Sequence, residues 1–284
     1  MSKLKVSRVV SRPLAAPFVK WAGGKSSLTA EILKIVRLLP FKRYFEPFLG
    51  GGAVFFALQP REAVLSDSNP ELINAYTRVK SNVEEVIDQL DLHAEQHSKA
   101  HYYAVRSNPP KDPVARAAWF LYLNRTCYNG LWRVNSKGVF NVPMGSYKNP
   151  RIVDPERLRR ASKALKNAKI VCSDFESAIT RLRPRPLFGD VVYFDPPYVP
   201  LSKTSQFTSY TKEDFTDSDQ RRLALLVGML SDKGVRVIVS NSETPLIRSL
   251  FPEHAFSTEV VQMSRAISSV GSGRGKVPEL LIHN

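Results

Sequence analysis

The residues best suited to chemistry form the tetrapeptide Asp195-Pro196-Pro197-Tyr198. It follows Val191-Val192-Tyr193-Phe194, an apolar run typical of a buried parallel strand, and open α/β sheets bind ligands at the carboxyl ends of such strands. The prolines fix the backbone and remove N–H groups, which leaves a carboxylate and bare carbonyls as acceptors. Acceptors beside a tyrosine ring suit a planar substrate with an amino group. The alternative is a proline-stopped strand with a helix-capping aspartate.

A second candidate site is the glycine-rich turn at 46–52, between a predicted strand end at Phe45 and a helical pattern that starts at Ala53. Glycines at a strand-to-helix turn let a ligand approach the backbone closely. Asp67 ends the next predicted strand, where an acid can accept hydrogen bonds from ribose hydroxyls. The pattern indicates a nucleoside-containing cofactor. The G-x-G-x-x-G spacing of dinucleotide sites is missing, and a simple packing turn is the alternative.

Two other kinds of site are not expected. Gly24-Lys25-Ser26 resembles the end of a phosphate-binding loop, but Val19 stands where that loop requires its first glycine, and no strand precedes it. The five histidines are scattered without zinc spacing. We therefore expect neither a P-loop ATPase nor a metal site.

Apolar runs alternate with helical patterns, which predicts an α/β fold with a largely parallel sheet. The predicted strands are at 43–45, 63–66, 169–172, 191–194, 235–239 and 279–282. Asn69-Pro70-Glu71 is a helix start, because a capping asparagine precedes a proline and an acid. Further helices are predicted at about 217–231 and, with many basic residues, at 157–169.

The alternation breaks between residues 80 and 160, which is too long for one crossover. We interpret 80–160 as an inserted, mostly helical target-recognition subdomain. The catalytic domain then comprises 16–79 and 161–284, and residues 1–15 are expected to form a flexible basic arm.

The composition excludes several classes of protein. With 43% hydrophobic and 24% charged residues among 284, the chain is globular. No apolar run is long enough to span a bilayer, and no signal peptide is recognisable. Two cysteines make no disulfide framework, so a cytoplasmic location is expected. A net charge of +15 points to a polyanion, with nucleic acid favoured over an anionic membrane surface.

The ordered set of motifs resembles the D12 class of N6-adenine DNA methyltransferases, most closely the Dam-type enzymes of the alpha group. The matching stretches are 18–25, 45–52, Asp67, 124–150, 173–175 and 195–198. The resemblance implies a Rossmann-like S-adenosylmethionine-dependent methyltransferase fold. It implies site-specific transfer of a methyl group to the N6 amine of a flipped-out adenine, expected within GATC, without a metal and with S-adenosylhomocysteine as product.

The resemblance also assigns roles to residues. Asp195 and the Pro196 carbonyl would accept from the adenine amine, Tyr198 would stack on the base, and Pro197 completes the catalytic set. The residues expected at the cofactor are Trp21, Ala22, Gly23, Lys25, Glu46, Pro47, Phe48, Gly50, Gly51 and Gly52 at its methionine end, Asp67 at the ribose, and Asp174 and Phe175 at the adenine. The residues expected at the DNA are Lys20, Arg125, Tyr128 as a wedge, Asn129, Leu131, Arg133, Pro143 and Ser202.

Several alternatives stay open. An RNA or cytosine-amine methyltransferase would share the tetrapeptide, and a catalytically silent DNA-binding protein would share the scaffold. Within the insert, Tyr128 or Trp132 could pack into a small core instead of contacting DNA. Double-stranded DNA is the expected partner of a monomer or weak dimer. A cognate restriction endonuclease is a second candidate partner.

Overall fold

A computed structural model describes residues 15–21, 28–199, 215–264 and 276–284. Among these residues, seven strands form one sheet in the order β3-β2-β1-β4-β5-β7-β6. The strands are β1 (Tyr44–Glu46), β2 (Ala63–Asp67), β3 (Ala168–Cys172), β4 (Val191–Phe194), β5 (Arg236–Ser242), β6 (Ser257–Ser264) and β7 (Lys276–His283). Strands β1 to β5 pair with one another in parallel, and β7 is antiparallel to both β5 and β6. The predicted Rossmann-like methyltransferase fold is confirmed.

The described residues also contain ten α-helices. They are α1 (Thr29–Arg37), α2 (Ala53–Leu58), α3 (Pro70–Ser81), α4 (Val83–Glu95), α5 (Lys99–Ser107), α6 (Pro113–Thr126), α7 (Pro155–Leu165), α8 (Phe175–Thr180), α9 (Asp217–Asp232) and α10 (Pro245–Leu250). A 3-10 turn at Tyr128–Gly130 follows α6. None of the helices described is long and apolar enough to cross a bilayer.

Two helix predictions had different outcomes. The Asn69 side chain accepts the N–H groups of Glu71 and Leu72 at the start of α3, so the predicted start is confirmed. The basic helix predicted over 157–169 is shorter, because α7 ends at Leu165 and Ala168 already pairs with Ala63 of β2. The helix therefore ends before the basic residues do, because the chain from Ala168 onwards pairs in parallel with β2.

The sheet is covered by apolar side chains on both faces. Successive strand residues point to opposite faces, so Tyr44 enters one hydrophobic cluster and Phe45 the other. Helices α1 to α7 contribute buried side chains to the cluster that contains Tyr44, whereas α8 to α10 contribute to the cluster that contains Phe45. A sheet covered on both faces explains why its strands read as apolar runs.

Among the helices in the predicted insert, α6 has the most buried residues. Helix α6 buries nine residues, among them the polar Asn124 and Thr126. Its apolar residues belong to the same cluster as Tyr44 of the sheet. The division into an arm, a catalytic domain and an insert stays a prediction, and the arm lies outside the described residues except for Ala15.

Three histidines that are separate in sequence meet where α4 approaches α5. His93 Nδ1 lies 3.1 Å from His101 Nε2, and His97 Nδ1 lies 3.0 Å from the Tyr122 hydroxyl oxygen. The His93 ring stacks on Tyr122 with centroids 4.8 Å apart. Burial, followed by the proximity of His101, lowers the pKa of His93 from 6.5 to about 4. No group of three or more His, Cys, Asp or Glu side chains suited to a metal was found within the described ranges.

We predict that the free energy of unfolding decreases as the pH falls from 6.5 towards about 4. In this range the folded protein keeps His93 uncharged, whereas the unfolded chain binds the proton, so acid favours unfolding. The expected contribution is about 1–2 kcal/mol, reduced from the full shift because the ring is partly exposed. Urea titrations at several pH values measure it.

Two variants separate the contribution of His93 to this pH dependence from the contribution of Asp and Glu side chains, which also titrate in acid. His93→Phe keeps a ring against Tyr122 and should flatten the pH dependence, whereas the exposed His254→Gln should leave it unchanged. An equally steep dependence in His93→Phe would assign it to other groups.

Candidate active site

The carboxyl ends of the parallel strands bring three acids to one edge of the sheet. Glu46 ends β1, Asp67 ends β2, and Asp195 directly follows β4. The strand order reverses between β1 and β4, and such a reversal point is where open α/β sheets bind ligands. The structure therefore places Glu46, Asp67 and Asp195 at one end of the fold.

The glycine-rich turn is held by Asp67. One carboxylate oxygen of Asp67 accepts the Gly50 N–H at 3.0 Å, and the other accepts the Asn69 N–H at 3.0 Å. The Tyr76 hydroxyl donates to the Gly50 carbonyl at 3.1 Å. Burial raises the pKa of Asp67, and these backbone hydrogen bonds oppose that rise. Asp67 thus fixes the turn in addition to its predicted place at a ribose.

Glu46 is a buried acid in an apolar setting. Glu46 is only 3% exposed, and its Oε2 accepts a hydrogen bond from the Tyr44 hydroxyl at 3.1 Å. Burial raises the pKa of Glu46 well above its usual value, and the nearby charge of Asp195 raises it further against the effect of Tyr44. A cationic group bound here would favour the charged form of Glu46.

Aromatic rings border the turn. A Cβ added at Gly50 would lie 2.9 Å from Trp21 Cδ1, so the indole approaches the backbone more closely than a side chain would allow. Phe48 stacks on Phe175 with centroids 5.4 Å apart. Asp174 caps α8 by accepting the Glu176 and Ser177 N–H groups. The predicted residues Trp21, Phe48, Asp174 and Phe175 therefore surround the same edge of the sheet.

The tetrapeptide Asp195-Pro196-Pro197-Tyr198 is braced by side chains that the sequence reasoning missed. Asp195 Oδ1 accepts the Ser240 hydroxyl at 2.8 Å, and the Tyr198 hydroxyl donates to Glu279 Oε2 at 3.0 Å. The Gln220 amide donates to the Pro197 carbonyl at 2.9 Å. The available signal was the polar run Ser240-Asn241-Ser242 at the carboxyl end of an otherwise apolar strand.

A buried amide joins the N-terminal segment to the predicted DNA-reading turn. Asn124 accepts the Lys20 N–H and donates to the Lys20 carbonyl, each at 2.7 Å, and it also donates to the Gly130 carbonyl at 3.2 Å. The Lys20 ammonium lies 4.3 Å from the centroid of the Tyr147 ring. Sequence reasoning did not single out Asn124, whose buried polar side chain on α6 only the structure identifies.

The other predicted DNA-binding residues divide by exposure. Tyr128 is 52% exposed, and Asn129, Arg133 and Pro143 are also exposed, while Leu131 is half-buried. Arg133 Nε donates to Asn141 Oδ1 at 2.9 Å. These residues lie on a segment that folds back on itself through the bridges Cys127–Met144 and Val134–Phe140.

Two residues of this region have interior contacts. The Arg125 guanidinium donates to the Phe18 carbonyl at 2.7 Å, and burial lowers the pKa of Arg125. Trp132 is buried against Phe120 and Phe140, so the core alternative holds for Trp132 and not for the exposed Tyr128. Ala22, Gly23, Lys25 and Ser202 lie outside the described residues.

Several known proteins are similar to this chain over most of its length. The family model for D12 class N6 adenine-specific DNA methyltransferases matches residues 21–267. The chain is 44% identical over 278 residues to the Type II methyltransferase M1.LlaDCHI of Lactococcus lactis subsp. cremoris, covering 94% of this chain and 95% of that protein. It is 42% identical to the Type II methyltransferase M.MjaIII of Methanocaldococcus jannaschii, covering 94% and 98%. It is 39% identical to the DNA adenine methylase of Escherichia coli K12, covering 93% of each chain.

The glycine turn offers a matched pair of substitutions. Gly52 has φ +66° and its added Cβ would lie 2.8 Å from the Tyr76 hydroxyl oxygen, whereas a Cβ at Gly51 would lie 3.5 Å from Trp21 Cβ, an ordinary contact. We predict that Gly52→Ala lowers the free energy of unfolding by about 1–3 kcal/mol through strain and crowding. Gly51→Ala should change it by less than about 1 kcal/mol. Equal losses in denaturant titrations would refute this account of the turn.

Proposed function

The chain belongs to the D12 class N6 adenine-specific DNA methyltransferase family, and we propose that it methylates the N6 amine of an adenine flipped out of double-stranded DNA. We propose GATC as its target sequence. The observation that carries the proposal is Asp195 with its following prolines and Tyr198, held at the strand edge beside a glycine turn and a buried acid. The net charge of +15 supports a polyanionic partner.

S-adenosylmethionine fits the residues around the glycine turn. Its charged methionine end would lie near Glu46, whose buried carboxyl favours a cationic neighbour. Asp67 would accept from the ribose, and Asp174 and Phe175 would contact the adenine of the cofactor. Phe48, assigned to the methionine end, stacks on Phe175 with centroids 5.4 Å apart. When bound, this cofactor supplies an electrophilic methyl group on a sulfonium sulfur.

The tetrapeptide would prepare the target amine as a nucleophile. The N6 lone pair of adenine is delocalised into the ring, so the amine reacts poorly by itself. Asp195 and the Pro196 carbonyl would accept its two N–H groups, which favours a pyramidal nitrogen with an available lone pair, while Tyr198 stacks on the base. Transfer would form the N–C bond as the sulfonium S–C bond breaks, with S-adenosylhomocysteine as the leaving group, and the methylated amine would then release its surplus proton to solvent. Positioning and electrostatics supply the catalysis, without a covalent enzyme intermediate.

The exposed turn after α6 would read the DNA. Tyr128 projects from a segment whose other large aromatics, Trp132 and Phe140, are buried, which suits it to wedge into the stack vacated by the flipped base. Arg133 and Asn129 carry groups that pair with guanine and adenine edges. Lys20, held by Asn124 beside this turn, would read a further base.

The names of the relatives bear on the biological role. Two are Type II methyltransferases, which supports a role beside a restriction endonuclease, and another is a DNA adenine methylase. We propose that this chain modifies DNA in a restriction-modification system.

The proposed function predicts which base becomes labelled. Purified protein is incubated with labelled S-adenosylmethionine and a duplex that contains GATC or a scrambled site, and the duplexes are digested to nucleosides. Label on adenine from the GATC duplex alone is expected. Asp195→Ala should abolish labelling while cofactor binding survives, because the carboxylate acts on the target amine.

Other outcomes of that experiment reject parts of the proposal. Labelled adenine from both duplexes would reject the GATC target but keep the reaction. Label on cytosine, or only on an RNA of the same sequence, would reject the substrate. Tight DNA binding without label would favour a catalytically silent DNA-binding protein.

Arg133→Ala tests the base-reading turn. We predict a loss of about 1–3 kcal/mol in binding to the cognate duplex and a relaxed preference at one base pair, as expected when a bidentate arginine contact is lost. The measurement is methylation of duplexes substituted at each target position. Arg248→Ala, on α10 and paired with Glu243, is the control and should retain full discrimination. Unchanged discrimination in Arg133→Ala would exclude Arg133 as a reader.

A further inference from the structure

A chain of hydroxyl groups leads from the interior of the sheet to the catalytic carboxylate. The Tyr193 hydroxyl oxygen lies 2.9 Å from Ser240 Oγ, and Ser240 Oγ lies 2.8 Å from Asp195 Oδ1. Ser240 is 0% exposed and Tyr193 is 1% exposed. Buried hydroxyl groups in a hydrogen-bonded chain have few alternative partners, so their geometry is strongly constrained.

The protons of this chain point towards Asp195. Ser240 has one hydroxyl proton and donates it to the carboxylate, so Tyr193 must donate its own proton to Ser240. Burial, reinforced by the charge of Asp195, raises the pKa of Tyr193 well above 10 and keeps the phenol protonated. The chain therefore ends in a hydrogen bond to a carboxyl oxygen, an acceptor that forms a stronger hydrogen bond when it is ionised.

Strand pairing alone leaves the Asp195 side chain without a fixed orientation. The parallel ladder of β4 and β5 ends at the pair Phe194 and Val239, one position before Asp195 and Ser240. Ser240 itself lies within the sheet, because β7 pairs with β5 on the other side and Leu281 lies opposite Ser240. A rigid strand therefore presents the serine hydroxyl to a carboxylate just beyond the ladder.

Gln220 and Ser242 brace the backbone around the tetrapeptide. Gln220 donates to the Pro197 carbonyl at 2.9 Å and accepts from Asn241 at 3.0 Å. Ser242 donates to the Val199 carbonyl at 2.6 Å. Ser240 instead contacts side chains of the tetrapeptide: it lies within hydrogen-bonding reach of the Tyr198 hydroxyl, and it donates to the side-chain oxygen of Asp195, the residue that would act on the amine.

We propose that Ser240 is a positioning residue that orients the Asp195 carboxylate for methyl transfer, with Tyr193 holding the serine hydroxyl from behind. This proposal rests on the proposed function of Asp195. Ser240 occupies Oδ1, restrains rotation of the carboxylate and favours its charged form. Transfer to a weakly nucleophilic amine depends on this geometry, because small displacements of a reacting group cost large factors in rate.

Ser240→Ala tests the proposal through the rate of a single turnover with labelled S-adenosylmethionine and the GATC duplex. The expected rate falls about 10–100-fold, the scale of loss for a misplaced catalytic group. The dissociation constants for cofactor and duplex should stay within about twofold, since Ser240 is proposed to contact neither the cofactor nor the DNA. The acid limb of the pH–rate profile should move to higher pH, because the carboxylate loses a hydrogen bond that favours its charged form.

Two further variants keep the test decisive if Ser240→Ala is unstable. Tyr193→Phe leaves the serine donor in place and should give a smaller loss with the same direction of pH shift. Thr77→Val removes a partly buried hydroxyl that bonds only to the Ile73 carbonyl of its own helix, and should change neither rate nor profile.

The outcomes separate this proposal from the function on which it rests. If the unmodified protein labels no adenine, the proposed function fails. If it labels adenine while Ser240→Ala and Tyr193→Phe keep its rate and pH profile, only the positioning role is overturned. A lower rate with an unshifted profile, matched by an equal loss of cofactor binding, would also overturn it in favour of a general structural effect.

Discussion

The pairing of β1 with β4 is the constraint on which the site depends. It sets Tyr44 beside Val191 and Phe45 beside Val192, and so brings Glu46 and Asp195 to the same edge of the sheet. Two acids placed together in an apolar setting oppose each other's ionisation, and the pKa of Glu46 rises mainly through burial and further through Asp195. This arrangement costs stability in the protein alone and favours a cationic ligand, a combination typical of functional sites.

Different strands and helices supply the hydrogen bonds that hold the residues at this edge. Asp67 holds the glycine turn, Gln220 and Ser242 hold the backbone that follows β4, and Ser240 contacts the carboxylate of Asp195. Each contact comes from a strand or helix and not from a loop. Side chains supplied by regular elements are placed more precisely than those on loops, which suits a reaction governed by position.

Helix α6 extends this order to the exposed surface. Its buried Asn124 fixes Lys20 and the Gly130 carbonyl, and Phe18, two residues before Lys20, packs on Tyr76 at 4.7 Å between centroids. Tyr76 in turn donates to the Gly50 carbonyl in the glycine turn. A continuous set of contacts therefore links the exposed turn after α6 to the turn at the strand edge. Displacement of the turn after α6 would therefore shift the glycine turn as well, because packed interiors transmit strain.

Much of the framework could be predicted because it depends on local signals. The strand at 191–194 and the helix start at Asn69 follow from an apolar run and a capping pattern. Strand β6 was missed, since its only neighbour in the sheet is β7 and its sequence mixes polar and apolar residues. The histidines at 93, 97 and 101 did have a regular spacing of four, but their meeting requires the bend between α4 and α5.

Other features depend on packing that no local pattern records. Tyr128 and Trp132 are both large aromatics in one short segment. Trp132 is the buried one because it packs against Phe120 of α6 and Phe140, which are not its neighbours in sequence. Ser240 is likewise an ordinary serine in sequence. Its role follows from its neighbours, since β5 pairs with β4 and brings its hydroxyl to Asp195.

The residues around Asp195 are largely buried, whereas those of the proposed base-reading turn are exposed. This difference decides which of them can be replaced without loss of stability. Asp195 is held by Ser240 in the interior of the sheet, whereas Asn129 and Arg133 are exposed on a turn beyond α6. Substitution of exposed side chains usually changes stability by less than about 0.5 kcal/mol, whereas a buried hydrogen-bonded group is costly to replace. If the turn reads bases as proposed, its exposed side chains can be replaced while Asn124 still holds the Gly130 carbonyl and the contact of Ser240 with Asp195 is preserved.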